Sequence, residues 1–368
     1  MGNQNIFLKL LSSESGLTLK EIEPKAIGLS EWMDYQTHKI TKMAFAATVI
    51  GDSFAGGRFV KDGERVNFRA DMTLPMGNDC IALVRDGWLP AIFVTQGSQL
   101  LLDRNMVTKF AKRFDSEGIS EGDHSKQGFG DFINHFNLEC VINVSAFALE
   151  GNKRRHQTME EVIEQLSEVQ GKIQTALTRC KIQPENHESV NDLLAFMADC
   201  RDNFERGAVF LQKISPSLMQ TLSGEKRRGR WDFILSKAQE CGLKKTDLLV
   251  FAALSAASCA QGLNPAKRII KPGHDYTLEN AYNAMADFQL LEIFMYTICK
   301  YPDEKFVLLT DDRHLAKFWM GLIFREASGK NGGCEATFGI DEKILPLDES
   351  DLDYLRGSLD NAFRASGD

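Results

Sequence analysis

The chain has 368 residues, of which 43% are hydrophobic and 26% are charged, and its formal net charge is −8. This length is enough for roughly two domains, and the composition excludes a collagen-like, coiled-coil or mainly disordered protein. The acidic total argues against a simple nucleic-acid coat protein. It remains compatible with an enzyme whose carboxylates gather at a metal ion.

Two features of the sequence predict a cytoplasmic protein that makes no contact with a membrane. No apolar run approaches the ~20 residues that a membrane-spanning helix needs. The eight cysteines are scattered without a CxxC pair, and most of them lie in apolar helical patterns, as reduced core thiols do. We therefore expect reduced thiols and no structural zinc site.

Residues 1–95 are predicted to form a β-rich region, whose role the sequence does not reveal. Apolar and polar residues alternate over 59–68 around an Asp-Gly dipeptide, which is typical of a tight hairpin turn. A second dipeptide of this kind, Asp86-Gly87, predicts another turn between two apolar runs.

Residues 96–340 are predicted to form an α/β domain with a mostly parallel sheet and a large helical insertion at about 152–275. Short apolar runs alternate there with runs at helical spacing, as they do in layered α/β domains. The predicted strands are 99–102, an apolar stretch at 141–149, and 306–310, and the predicted helices include 158–179, 276–300 and 313–328. Residues 341–368 are predicted to form an acidic tail or helix.

Acidic side chains follow the predicted carboxyl ends of three strands. Asp103, Glu150 and the pair Asp311-Asp312 each come directly after one of them. In parallel α/β sheets, ligands bind at the carboxyl ends of the strands. We therefore expect these carboxylates to form one anionic pocket, although each of them alone is also typical of a helix cap or a turn.

A further acid, Asp287, lies in the middle of the apolar helix predicted over 276–300, where a helix cap cannot explain it. A carboxylate inside such a helix carries a large desolvation cost unless it is paired or bound to a metal. Asp247 opens another apolar helix and is interpreted as its cap. It also remains an alternative to Asp287 in the pocket.

Carboxylates that are brought together in this way repel one another, and a divalent cation removes the repulsion. Oxygen ligands favour Mg²⁺ or Mn²⁺ over zinc. A metal held by carboxylates suits the hydrolysis of phosphodiester bonds, because it can activate water, polarise the phosphate and stabilise the leaving oxygen.

Two segments resemble the opening and closing motifs of PIN-like nuclease domains. Residues 101–107, Leu-Leu-Asp-Arg-Asn-Met-Val, are similar to the opening motif, an apolar strand that ends in Asp with Asn two residues later. Residues 307–316, Val-Leu-Leu-Thr-Asp-Asp-Arg-His-Leu-Ala, are similar to the closing motif, a strand followed by Thr-x-Asp. The resemblance covers roughly 98–325 and departs from the family in its long helical segment between 151 and 276.

The resemblance implies a three-layer α/β domain that cleaves RNA with Mg²⁺ or Mn²⁺. The acids that it implies as metal ligands are Asp103, Glu150, Asp287, Asp311 and Asp312, and all of these except Asp311 are also implied as catalytic residues. Thr310 would orient a carboxylate or the phosphate, and Asn105 would contact the substrate. Family association also implies a toxin or defence role.

The basic run Lys153-Arg154-Arg155 follows Glu150 closely and is predicted to hold substrate phosphates beside the metal. A solvated surface is the alternative for this run, and it is favoured for the other basic runs. Two other functions stay open: a non-catalytic PIN-like module that binds RNA or a protein, and a flap-type DNA nuclease. A protein partner or a homo-oligomer also stays open.

Overall fold

The computed structural model describes residues 8–12, 15–38, 40–55, 58–73, 80–93, 97–115, 118–119, 133, 139–146, 157–185, 187–258, 264–330 and 333–359. The chain divides into two compact units, Met1–Pro75 and Met76–Asp368. Among the described residues, none of the helices combines the length and the hydropathy that crossing a membrane would require.

The first unit is rich in strands, as its alternating sequence predicts. Its described elements are β1 (Leu8–Ser12), β2 (Ser15–Pro24), α1 (Leu29–His38), β3 (Ile40–Ile50), β4 (Ser53–Ala55), β5 (Arg58–Val60) and β6 (Arg65–Thr73). Four strands form an antiparallel sheet with the order β1-β2-β3-β6. Side chains alternate between the two faces of such a sheet, and Leu19, Ala47, Val49 and Val66 share one small apolar core.

The hairpin predicted over 59–68 differs from the observed pairing. β5 pairs with β4, and β6 pairs with β3, so the two flanking strands do not form a ladder with each other in the described part of the unit. The turn itself is present, because Gly63 has a φ of +78°, which favours glycine. The backbone N–H of Gly63 donates to the carbonyl of Val49 at 3.0 Å, so β3 holds the turn.

The second unit is built around a six-stranded sheet. Its strands up to the closing motif are β7 (Ile81–Val84), β8 (Gly87–Leu89), β9 (Ser98–Leu102), β10 (Phe114–Asp115), β11 (Gly118–Ile119), β12 (Val141–Asn143), β13 (Lys181–Gln183) and β14 (Lys305–Thr310). The sheet has the order β13-β12-β9-β14-β7-β8. The first four strands are parallel, and β7 and β8 form an antiparallel hairpin at one edge. The unit is therefore mixed α/β, and its sheet is parallel only in part.

The hairpin β7–β8 places the boundary between the units at Pro75, earlier than the predicted boundary at residue 95. A turn separates the two strands as predicted, but its residues are Arg85 and Asp86, because Gly87 already pairs with Val84 as the first residue of β8. β7 pairs with β14, and the indole N–H of Trp319 donates to the carbonyl of Val84 at 2.8 Å. These partners lie more than 220 residues away in sequence, so the local pattern could not assign the hairpin to this sheet.

Helices cover the sheet and extend beyond it. The described helices of this unit are α2 (Arg104–Arg113), α3 (Met159–Ala176), α4 (His187–Leu218), α5 (Gly224–Glu240), α6 (Leu248–Ser258), α7 (Pro265–Ile270), α8 (Leu278–Lys300), α9 (Arg313–Met320) and α10 (Glu349–Ser358), with a 3-10 turn at Ala91–Phe93. The predicted helix 158–179 is α3, and Thr158 and Glu161 form a reciprocal capping box at its start. The predicted helix 276–300 is α8, with Thr277 as its N-cap.

The helical insertion is shorter than predicted. Residues 181–183 form β13, which pairs in parallel with β12 and extends the sheet inside the region 152–275. The added helices are therefore α4 to α7, between β13 and α8. Every residue of α6 is buried, which explains why this helix is apolar on all sides.

The helix predicted over 313–328 is wrong in its second half. α9 ends at Met320, and the chain continues as β15 (Leu322–Lys330), which pairs with β16 (Gly333–Ile340). Gly321 ends the helix at a position where the backbone approaches Ile344 closely. A Cβ atom at residue 321 would lie 2.4 Å from Cδ1 of Ile344, so only glycine fits there.

The acidic segment after residue 340 contains a docked helix. Asp351 on α10 is 1% exposed and forms ion pairs with Arg227 and Arg228 of α5. Leu355 and Leu359 are buried on the same segment. Two basic residues of α5 are therefore used within the fold, to hold α10.

Candidate active site at the ends of β9 and β14

The candidate site lies at the carboxyl ends of β9 and β14, which are neighbouring parallel strands in the middle of the sheet. After β9 the sheet continues with β12 and β13, which lie on the side of β9 away from β14. β7 lies on the opposite side, next to β14. Open α/β sheets bind ligands at such a point, because the connections diverge there and leave a crevice. Asp103 and the pair Asp311-Asp312 directly follow these two strands.

Asp103 is bonded to both segments of the site. Its backbone N–H donates to the carbonyl of Leu309 at 2.9 Å. Its Oδ2 accepts a hydrogen bond from the hydroxyl of Thr310 at 2.5 Å, and its Oδ1 accepts one from the backbone N–H of Asn105 at 3.2 Å. Asp103 therefore shapes the start of α2 and also joins the opening segment to the closing one.

Burial raises the pKa of Asp103 from 3.8 to about 6, since the residue is only 3% exposed. The hydrogen bonds from Thr310 and Asn105 lower this pKa, and the charges of Asp311 and Asp312 raise it. The ionised form of Asp103 is thus destabilised at this edge, and a bound cation would stabilise it.

Thr310 links the two acids of the site. It is fully buried, and its hydroxyl oxygen accepts a hydrogen bond from the backbone N–H of Asp312 at 2.9 Å while its proton goes to Asp103. Asp312 in turn caps α9, because its Oδ1 accepts the backbone N–H groups of His314 and Leu315 at 2.7 and 3.0 Å. Both cap bonds end on Oδ1, so the cap does not use Oδ2.

Asp287 on α8 lies close enough to both acids to respond to their charges. Its pKa is well above the usual 3.8, chiefly because of burial, and the charges of Asp312 and Asp103 raise it further. The positive charge of Lys271 acts in the opposite direction. The structure therefore brings together three of the predicted acids.

Asp247, the alternative to Asp287, lies in other surroundings. Its Oδ2 accepts the backbone N–H of Lys244 at 2.9 Å, which shapes the turn before α6. Burial raises its pKa, while the charges of Lys244 and Arg206 lower it. Burial raises the pKa of Glu292 to about 7, and the charge of Asp247 contributes to this rise. Of the two candidates, Asp287 is the one whose pKa responds to the charges of Asp103 and Asp312.

Asp311 forms an ion pair with Lys109 of α2, with Nζ and Oδ2 2.7 Å apart. The two side chains are 26% and 42% exposed, so we expect water to weaken the pair. The sequence shows Lys109 only as one of several basic residues after Asp103. Its pairing requires α2 and the end of β14 to be side by side, and no local pattern indicates that.

The other predicted site residues have different positions. Asn105 is exposed, and its contact with Asp103 comes from its backbone N–H. Glu150 and the run Lys153-Arg154-Arg155 lie outside the described residues. Within the described ranges, no group of three or more His, Cys, Asp or Glu side chains is close enough to hold a metal directly.

Lys271 is a residue of the site that the sequence did not single out. It follows α7 in a left-handed conformation and its charge acts on Asp287. Only its place in a basic run could have signalled it.

Comparisons with family models, with curated proteins and with solved structures gave no match to this chain. The functional conclusion therefore depends on the residues and their geometry.

Proposed function

We propose that this chain is a metal-dependent endoribonuclease, which hydrolyses phosphodiester bonds at the edge formed by Asp103, Asp287 and Asp312. The observation that supports this most is the hydrogen-bonded chain from Asp103 through Thr310 to Asp312, together with the effect of both acids on the pKa of Asp287. Such an arrangement concentrates negative charge at a point where α/β sheets bind ligands. The preference for RNA and the toxin or defence setting rest on the resemblance to PIN-like domains.

The residues fit Mg²⁺ or Mn²⁺ by their chemistry. Every candidate ligand is a carboxylate oxygen, and like-charge repulsion contributes to the raised pKa of Asp103 and of Asp287. Mg²⁺ commonly keeps several water ligands and binds through one or two carboxylates together with substrate phosphates. A group of three direct ligands is therefore not required. Asp103, Asp287 and Asp312 would hold the ion, and Glu150 stays a sequence prediction.

A bound ion of this kind supplies polarisation of the phosphate and a water of lowered pKa. The chain's own residues fix the geometry around it. Thr310 orients Oδ2 of Asp103 and the backbone of Asp312 together, so the two acids keep their relative position. Preorganised groups of this kind need not rearrange during the reaction, which is an important source of catalysis.

The alternative in which the domain only binds RNA or a protein is less well supported. Neighbouring negative charges raise the pKa of the buried Asp103 and Asp287, and such repulsion destabilises a scaffold unless the carboxylates have a further use. A flap-type DNA nuclease would share the same carboxylate chemistry and differ in its substrate. The choice between RNA and DNA is therefore one of the outcomes to be measured.

Cleavage of a labelled RNA, with a DNA of the same sequence in parallel, tests the proposal. We expect RNA cleavage in Mg²⁺ or Mn²⁺ and none in excess chelator. Asp103→Asn, Asp287→Asn and Asp312→Asn should each lower the rate by about 10²–10³-fold, as expected when one preorganised electrostatic contact is lost. Asn is a good N-cap, so Asp312→Asn keeps the start of α9. Asp247→Asn is the matched control and should leave the rate unchanged.

Two results would contradict the proposal. One is cleavage that continues at the same rate in chelator, which would exclude the metal mechanism. The other is equal loss of activity in Asp247→Asn and Asp287→Asn, which would remove the distinction between the two acids. Cleavage of DNA alone would support the nuclease and transfer it to the other substrate.

A further inference from the structure

Basic side chains of α7 and α9 lie beside the carboxylate edge. The two helices pack against each other through buried apolar residues such as Ile269, Ile270 and Leu315. Around this contact are four cations, which we call the α7–α9 basic face: Arg268, Lys271, Arg313 and Lys317. α9 begins directly after Asp312, so this face and the acids belong to one region of the molecule.

The positions of the helices place the face close to Asp312. α9 begins at Arg313, directly after its N-cap Asp312, and Lys317 lies about one helical turn further on. α7, which carries Arg268 and is followed by Lys271, packs against α9. Lys271 also acts directly on the pKa of Asp287.

Among the described residues, the four cations of this face form no ion pairs, unlike several other basic residues of the unit. Arg227 and Arg228 are paired with Asp351, and Lys109 is paired with Asp311. Four positive charges kept together without acidic partners within the described fold are suited to an external anion.

Lys271 is held on this face by a strained backbone. Its φ is +52°, a left-handed conformation in which a side chain is disfavoured and glycine is usual. The turn is fixed on both sides: the hydroxyl of Ser215 donates to the carbonyl of Gly273 at 3.0 Å, and the hydroxyl of Tyr276 donates to the carbonyl of Ile270 at 2.8 Å. A residue kept in such a conformation next to a candidate site leads to a hypothesis of function.

We propose that the α7–α9 basic face binds the backbone phosphates of a single RNA strand and leads the strand to the carboxylate edge. The inference rests on the proposed function, because a nuclease whose acids repel phosphate needs cations beside them. Lys and Arg side chains are the usual partners of phosphate in nucleic-acid complexes, and each contact adds to the salt dependence of binding. The face thus supplies a substrate surface within the described residues.

Binding of a labelled single-stranded RNA in excess chelator, over a range of salt concentrations, tests the inference without cleavage. The triple variant Arg268→Gln, Lys271→Gln and Lys317→Gln should reduce the slope of log affinity against log salt by about 2, at roughly 0.7 per contact. When the salt is raised from 50 to 200 mM, binding by the triple variant should therefore weaken by a factor that is roughly 18 times smaller than the factor for the wild type. Lys226→Gln, which removes an exposed charge from α5, is the matched control and should leave the slope unchanged.

Lys271→Gly separates binding from folding. Glycine adopts the left-handed conformation without a Cβ penalty, so the melting temperature should be equal to that of the wild type or higher. Binding should nevertheless weaken, with a slope lower by about 0.7. A fall in melting temperature with unchanged binding would show that Lys271 has a structural role only, and would overturn its place on this face.

Other outcomes also decide the inference. An unchanged slope in the triple variant, or the same change in Lys226→Gln, would overturn it, even if the protein cleaves RNA with metal. A strand that binds only as DNA would overturn the RNA assignment. Conversely, suppose that the triple variant shows the reduced slope while the wild type cleaves no RNA or DNA. That result would support the basic face and contradict the nuclease, so the two proposals fail separately.

Discussion

The hydroxyl of Thr310 donates a hydrogen bond to Oδ2 of Asp103 at 2.5 Å, and it joins two residues that are 207 positions apart in the chain. The same oxygen of Thr310 accepts the backbone N–H of Asp312. One side chain therefore fixes the distance between the first and the last acid of the site. A change at Thr310 should affect both acids together.

Thr310→Val is predicted to damage the site without a change in volume. It leaves a buried carboxylate oxygen and a backbone N–H without their partner, so the free energy of unfolding should fall by about 1–3 kcal/mol. The pKa of Asp103 should rise further, since the bond from Thr310 lowers it. Thr310→Ser keeps the hydroxyl and is the control. Chemical denaturation and nuclease rates measure both effects, and a Val variant as active as Ser would contradict the prediction.

The stability of the metal-free protein is predicted to depend on pH through Asp103. Its pKa is about 6 in the folded state and 3.8 in the reference state, so the folded protein binds this proton more tightly. Protonated Asp103 therefore adds about 3 kcal/mol to the free energy of unfolding below about pH 4. This contribution is lost as the pH rises through 6. Asp103→Asn should remove this part of the pH dependence.

The measurement is the difference in unfolding free energy between wild type and Asp103→Asn from pH 4 to pH 7. Titrating groups far from Asp103 cancel in that difference, whereas Asp287 does not, because its pKa depends on the charge of Asp103. Mn²⁺ should stabilise the wild type at pH 7 more than the variant, because a ligand that binds only the folded state stabilises it. A difference that is constant over this range would refute the raised pKa.

Asp287→Asn is predicted to separate stability from activity. The substitution removes a charge that Asp312 and Asp103 repel, so the metal-free variant should be as stable as the wild type or more stable. Nuclease activity should meanwhile fall by orders of magnitude. Melting curves and rates on one preparation decide the matter. If the variant melts much earlier without metal, Asp287 is instead half of a buried ion pair.

Asp351→Asn is predicted to have the opposite pattern. Asp351 is buried between Arg227 and Arg228, so loss of its charge should destabilise the protein by about 3 kcal/mol. Glu349→Gln removes an exposed charge from the same helix and should change the melting temperature little. The rate of RNA cleavage at low temperature should stay normal in both variants. Loss of activity in a folded Asp351→Asn protein would contradict a purely structural role.

The sequence predicted those features whose signal is local. Asp103 follows an apolar strand and precedes a helix, and the residues around Asp287 in its helix are mostly apolar, so both could be recognised from neighbouring residues. The strand–helix unit at β14 and α9 is equally local, although α9 ends at Met320 and the chain continues as β15 instead of the predicted helix.

The features that were missed depend on distant contacts. β13 has only three residues, Lys181–Gln183, and its polar ends give it no strand pattern of its own. Its pairing with β12 makes it a strand. The pair Lys109 and Asp311 likewise exists only because α2 and the end of β14 are brought together. Local propensity cannot report contacts between segments 40 residues apart, as in β12 and β13, or about 200 residues apart, as in this ion pair.

The position of β14 between β9 and β7 has a consequence for the order in which the site is made. β7 and β9 are both synthesised by residue 102, but the strand that joins them arrives only at 305–310. Closing so long a loop is costly in entropy and makes the sheet a late folding event. A growing chain therefore carries Asp103 for about 200 residues without Thr310 or Asp312. The carboxylate edge is complete only after residues 305–310 have joined the sheet, and nascent chains shorter than this lack a complete site.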